Sequence, residues 1–202
     1  MNDKSALFIE IRRLWKSDLE EYYSHLLRLD LRSRRFRFAG GTSDEAVRTY
    51  AEGCFGPGDL IYGAFVNNAL VGVAELRSPA NIWFSGSHNN KHIRAEVAFS
   101  VELEYQRCGI GEKLFNRIQQ AASNHGVETI ELMCLAENIG MRNLARKFKA
   151  YLRFEDSVLT GNITAKHPTV FSILHESFTD IIDYNLSIFD MYWKNTELSR
   201  TN

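Results

Sequence analysis

The apolar positions of this chain keep two periods, one helical and one of strands, and the places where one gives way to the other mark out the elements. Leu19, Tyr22, Tyr23, Leu26 and Leu27 share a helical face, so the spacing predicts a helix over about 17–29, with Ser17 as its cap and Glu20 and Glu21 in the favoured first turn. A short strand, Leu7 to Arg12, precedes it. After the basic run Arg32 to Phe38 and a Gly40-Gly41 break, Thr42-Ser43-Asp44-Glu45 has capping-box spacing and opens a second helix, which must stop before Gly56-Pro57-Gly58. Leu60 to Val66 and Leu70 to Leu76 read as a hairpin, because Asn67-Asn68 between them tolerates left-handed backbone. Ser78 to Asn90 is polar and rich in turn formers, which predicts a surface loop.

Downstream the pattern becomes strand, glycine loop, helix. Ala95 to Val101 is rich in β-branched and apolar residues, and Ile110, Leu114, Phe115, Ile118, Ala121 and Ala122 then recur at helical spacing. Between them runs Gln106-Arg107-Cys108-Gly109-Ile110-Gly111. Glycines at 109 and 111 let the backbone turn tightly and approach a ligand without Cβ clashes, and the unpaired N–H groups of the first helical turn favour an anion. Glu128 to Leu135 alternates like a strand, and Ala136-Glu137-Asn138 leads into a helix through Met141 and Phe148, with Asn138 a natural cap. A last strand follows from Tyr151.

The glycine loop completes neither common nucleotide pattern. A Walker loop ends in Gly-Lys-Ser/Thr and a dinucleotide fingerprint has a third glycine, whereas Gly111 is followed by Glu112-Lys113-Leu114. The segment instead resembles the Gln/Arg-x-x-Gly-x-Gly/Ala pyrophosphate loop of the GNAT superfamily of N-acetyltransferases, matched by Gln106, Gly109 and Gly111. The run Leu135-Ala136-Glu137-Asn138 to Met141 to Leu144-Ala145-Arg146-Lys147 is similar to the acetyltransferase domain of bacterial protein lysine acetyltransferases. The resemblance implies an α/β (α+β) GNAT fold over residues 1–165, a central mixed, mostly antiparallel, twisted sheet flanked by helices. The predicted order of strand, two helices, three strands, helix, strand, helix, strand agrees with that layout.

It also implies acyl transfer from acetyl-CoA, as co-substrate, to a primary amine on a protein lysine or a small molecule. A lysine-type amine with a pKa of about 10.4 is mostly protonated at neutral pH, so a base is needed, together with a donor for the developing oxyanion. Glu96, within Ala95-Glu96-Val97-Ala98-Phe99, stands where the protein-lysine branch carries its catalytic glutamate; otherwise it is an ordinary carboxylate paired with Arg94. The resemblance puts the oxyanion and the pantetheine amides on the backbone of Phe99, Ser100 and Val101. The pyrophosphate belongs on Gln106, Arg107, Cys108, Gly109, Ile110 and Gly111, with Arg107 either a charge partner or simply solvated. Asn138 either contacts the pantetheine arm or only caps its helix. The tyrosine that many relatives use as general acid is replaced by Ala145, with Tyr151 as a fallback, and the Gly-Phe that often ends this helix reads Lys149-Ala150.

Composition fits one globular enzyme domain with an appendage: 202 residues, 45% hydrophobic and 24% charged, with a net charge of -1 that gives no basic field for nucleic acid. Cys54, Cys108 and Cys134 are widely spaced, with no Cys-x-x-Cys and no histidine at ligand spacing, so neither a metal nor a disulfide framework is expected. No signal core and no long apolar span is present, which predicts a cytoplasmic chain. Residues 166–202 read as an added C-terminal helical segment of one or two helices. Phe171, Leu174, Phe178, Ile181, Phe189 and Trp193 are to be covered by the domain itself or by a second subunit in a homodimer. Asp180, Asp183 and Asp190 disfavour a membrane surface. The four arginines at 32, 34, 35 and 37 hint at an acidic acceptor, or are a solvated charge run. A rival reading from another class is a non-catalytic acyl-CoA-binding regulatory or scaffolding module.

Overall fold

The computed structural model describes residues 7–78 and 93–200. They form one seven-stranded sheet in the order β1-β2-β3-β4-β5-β7-β6. Its strands are β1 (Glu10–Leu14), β2 (Leu60–Val66), β3 (Ala69–Arg77), β4 (Arg94–Val101), β5 (Thr129–Leu135), β6 (Tyr151–Glu155) and β7 (Val158–Thr164). Every neighbouring pair is antiparallel except β4 with β5. The helices are α1 (Leu19–Arg28), α2 (Leu31–Phe38), α3 (Asp44–Gly53), α4 (Ile110–Asn124), α5 (Ile139–Lys147) and α6 (Val170–Arg200).

Strand β2 is buried at every position, so the apolar run Leu60 to Val66 serves two cores, one on each face of the sheet. On one face Leu114, Phe115 and Ile118 of α4 pack against Val97, Ile130 and Leu132; on the other Tyr22 and Leu26 of α1 and Val47 of α3 pack against Ile61 and Val73. The β2–β3 hairpin turns where expected, with φ of 50° at Asn67 and 63° at Asn68. The box expected from Thr42 to Glu45 does not form: the cap lies one residue later, at Ser43, whose hydroxyl accepts from Ala46 N at 3.2 Å. The predicted loop at 78–90 falls almost wholly outside the described residues.

Three further expectations change. The basic run is itself a helix, α2, because Asp30 caps it, accepting from the N–H groups of Arg32 and Ser33 at 3.0 and 3.1 Å. Ser17 does not cap α1; its hydroxyl is paired with that of Ser187. The final strand is a hairpin of two, β6 and β7, turned at Asp156 with φ 52°.

The C-terminal segment departs furthest. It is a single helix of 31 residues, and it lies on the domain by its polar side. Glu176 accepts from Tyr62 at 3.0 Å and from Arg117 at 3.2 Å, Asp183 from the Arg13 backbone at 2.7 Å, and Asp190 from Arg12 at 3.2 Å. Arg12 is 3% exposed and also pairs with Asp18 at 2.9 Å. The buried Arg12 of β1 and the half-buried Arg117 of α4 need carboxylates, and Glu176, Asp180 and Asp190 of α6, which meet them, lie opposite its apolar stripe.

Candidate active site

The parallel contact between β4 and β5 is short. Arg94, Ala95, Glu96 and Val97 pair with Thr129, Ile130, Glu131 and Leu132, and the pairing ends there. Ala98 to Val101 stay bonded to β3 on their other side, and Met133 to Leu135 stay bonded to β7. The two strands thus fork, and the inner edge of β4 from Ala98 onward presents backbone groups to a cleft. The cleft is lined by Phe36 and Arg37 of α2, Ala98 and Phe99, Met133 and Cys134, and Asn138 and Met141. Its volume of about 40 Å³ holds a few waters.

At the open end of the fork lies the glycine loop. Gly109 takes φ 83°, a left-handed conformation that glycine reaches without strain, and heads α4 with no side chain capping it. The first-turn N–H groups of α4 are therefore offered outward, at the positive end of the helix dipole. Gly111 differs: a Cβ there meets only Leu144, at 3.7 Å, so its backbone would accept alanine. Arg107 is also left-handed, with φ 62°, and exposed. The Gln106 side chain donates to Val101 O at 3.0 Å and to Ser33 Oγ at 3.1 Å, tying the loop to both β4 and α2. Cys108 donates weakly to Gln106 O at 3.6 Å, and Ile110 turns its side chain into the core.

Asn138 stands across the fork and caps α5, its Oδ1 accepting from Met141 N at 3.0 Å. Glu96 is two residues before the fork, exposed, on the same face of β4 as Ala98. Its strand neighbours are Arg77 on β3 and Glu131 on β5. Arg94 is paired with Glu131 at 2.8 Å, not with Glu96. Ala145, at the position where the sequence resemblance leads one to expect a tyrosine, is fully buried, and Tyr151 is exposed on the outer strand β6.

Two buried polar clusters behind the cleft escape a reading of the sequence. Glu75, directly opposite Ala98 and 1% exposed, accepts from Tyr22 at 2.5 Å and Tyr50 at 2.6 Å, and pairs with Arg37 and, at 3.1 Å, with Arg77. Burial opposes its charge, yet the two guanidiniums and two hydroxyls outweigh burial and hold the carboxyl below its ordinary value. The only available signal was a lone carboxylate inside the apolar run Leu70 to Leu76. The second cluster is His25, whose Nδ1 lies 3.0 Å from Glu102 and whose Nε2 lies 2.9 Å from Ser100 Oγ. Burial lowers the His25 pKa, although Glu102 pulls the other way. A neutral imidazole beside a carboxylate donates from Nδ1, which leaves Nε2 to accept from the Ser100 hydroxyl. Arg28 completes the chain, donating to Glu102 at 3.0 Å.

The arginines of α2 are largely occupied. Arg34 pairs with Asp44 at 2.8 Å, Arg35 with Glu137 at 2.8 Å, and Arg37 with Glu75. These pairs remove the argument for an acidic acceptor and give α2 another task. Through Ser33, Arg35 and Arg37 it is fastened to the glycine loop, to the β5–α5 turn and to β3, and so roofs the cleft.

The profile of the acetyltransferase (GNAT) family matches residues 12–150. Among solved structures, the GNAT domain of PAT from S. lividans superposes with a TM-score of 0.63 and 18% identity, over 77% of this chain and 90% of that one. PaiA N-acetyltransferase from Thermoplasma acidophilum, in complex with coenzyme A, gives 0.57 and 21%, over 78% and 99%. The ribosomal-protein-S18-alanine N-acetyltransferase from Escherichia coli gives 0.56 and 18%, over 81% and 97%. These likenesses are of fold, and the matched segment includes the fork, the glycine loop and Asn138. The chain belongs to the GNAT family of acetyltransferases.

Proposed function

We propose that this protein moves an acetyl group from acetyl-CoA to a primary amine, of a protein lysine or a small molecule, by direct attack in a ternary complex. The observation that carries the reading is the fork between β4 and β5, opening in front of the uncapped N-terminus of α4. A flat, amide-bearing chain ending in a diphosphate fits that arrangement. Its amides pair with the free edge at Phe99, Ser100 and Val101 as an added strand. Its diphosphate accepts from N–H groups between Arg107 and Gly111, with the Arg107 guanidinium beside it. The Asn138 amide nitrogen remains available to the pantetheine arm, because the cap uses only the oxygen.

With the thioester at the vertex near Ala98, its oxygen accepts from backbone N–H of β4, which stabilises the tetrahedral intermediate without any side chain. Glu96, on the same face one strand pleat away, takes the proton of the incoming ammonium directly or through a water. The C–S bond then breaks, coenzyme A leaves as the thiolate, and the second proton on the attacking nitrogen passes to solvent. Ala145 is a buried methyl and supplies no proton.

The test is release of free thiol from acetyl-CoA by the purified chain, first alone, then with lysine peptides, then with small amines and polyamines. Amine-dependent release with acetylated product supports the transferase. Tight acetyl-CoA binding with no transfer to any amine supports the non-catalytic acyl-CoA-binding module instead.

A further inference from the structure

The outward face of α6 is apolar along most of its described length. Leu174, Phe178, Ile181, Ile182, Phe189 and Tyr192 are 64, 66, 62, 44, 62 and 65% exposed. With Phe171 taken as position a of a heptad, Phe178 and Tyr192 fall at a, and Leu174, Ile181 and Ile188 fall at d. The carboxylates Glu176, Asp180 and Asp183 sit on the opposite side, turned onto Arg13 and Arg117. At about 150–250 Å² per large side chain, and the exposures above, this face offers roughly 700 Å² per chain. That exceeds the roughly 300–600 Å² of the largest patch on a typical monomer and comes close to the roughly 800 Å² per partner of a standard specific interface.

We propose that α6 packs against α6 of a second copy of this chain, making a two-fold dimer in which the stripes at a and d cover each other. Three observations select this occupant. The stripe has the a and d spacing that a like helix fills with knobs into holes. Between residues 170 and 193 there is no Lys or Arg, and all four acidic residues belong to the inward side. A lipid headgroup layer or a charged partner therefore finds no counter-charge on the outward face, and no described helix is long and apolar enough to cross a membrane. Third, Asn185 is exposed at an a position, with 15 residues of α6 on either side of it (170–184 and 186–200). A single asparagine at a fixes two identical helices in register, amide against amide, at a cost in stability. The polar side of α6 stays on its own domain, so the pair of helices lies sandwiched between two domains.

The experiment is sedimentation of the full chain from low to high micromolar concentration, beside Phe178→Glu/Ile181→Glu and beside Asn185→Cys in a Cys108→Ser background. The expected mass is about twice the 23.2 kDa of one chain. The double variant, whose substitutions touch no contact with the domain, is expected at the monomer mass with unchanged circular dichroism and acetyl-CoA binding. Asn185→Cys is expected to form a disulfide-linked dimer under mild oxidation, a readout that does not depend on how the double variant folds. A wild-type monomer at all concentrations overturns the proposal, as does a dimer that survives the double variant and forms no link through position 185. A monomer that floats with phosphatidylcholine/phosphatidylglycerol vesicles overturns it in favour of a membrane. None of these outcomes depends on whether the chain transfers acetyl groups.

Discussion

Val97 and Leu132 are the last residues at which β4 and β5 are paired, and their successors Ala98 and Met133 already stand on opposite walls of a cleft. One step of the chain separates a continuous sheet from a slot bordered by free backbone groups. The proposed acetyl-CoA site rests on that step, because it turns the strand leading to the glycine loop into a surface on which an amide chain can be laid.

Glu96 is exposed on its strand, so its proposed role as base can be tested apart from the fold. Glu96→Gln is expected to change stability by less than about 0.5 kcal/mol and leave acetyl-CoA binding intact, while amine-dependent thiol release falls by about 10²–10⁴. Calorimetry and a turnover assay on the same preparation separate the two effects.

Asn138 has a structural duty that can be isolated. Asn138→Ala removes a cap and is expected to cost about 1 kcal/mol, whereas Asn138→Asp keeps an acceptor oxygen and costs little. If the amide nitrogen also reaches the cofactor, Asn138→Asp weakens acetyl-CoA binding several-fold at unchanged stability. Equal affinities would leave Asn138 as a cap alone.

The two loop glycines are not equivalent. At Gly109 the backbone is left-handed, so Gly109→Ala is expected to destabilise by about 1–2 kcal/mol. At Gly111 an added methyl meets only Leu144 at ordinary contact distance, so Gly111→Ala should stay within about 0.5 kcal/mol. Urea denaturation of the two variants tests the contrast.

His25 makes the stability depend on pH. Its folded pKa lies below the ordinary 6.5, so the unfolded chain takes up a proton there before the folded one does. Its contribution is fully present above about pH 6.5 and declines as the pH falls, by at most about 1.4 kcal/mol per pH unit. His125, also lowered by burial, acts in the same direction. The His25 share is the part of the decline that vanishes in His25→Gln, read from urea midpoints between about pH 7.5 and about pH 5.5.

What could be read from the sequence was what neighbours in the chain decide. Asn67-Asn68, the Asn138 cap and the strand–Gly109–helix turn are local, and each forms as its residues dictate, while the cap of α3 is displaced by one residue, to Ser43. Helix α2 was missed because its arginines obscure any apolar period, although Asp30 stood at its head. Glu75 and His25 find their partners on α1, α2, α3 and β4, at separations no local pattern encodes. For α6 the amphipathic pattern was plain, but which face meets the domain depended on the buried Arg12 and the half-buried Arg117, far away in sequence.

The central claim is that the fork holds acetyl-CoA, and calorimetric titration of acetyl-CoA into wild type and Ala98→Phe tests it most directly. The account predicts one site per chain in the wild type and loss of binding when the phenylalanine fills the cleft between Ala98 and Met133, with circular dichroism unchanged. Absence of binding to the wild type, or equal binding by the two proteins, would contradict it.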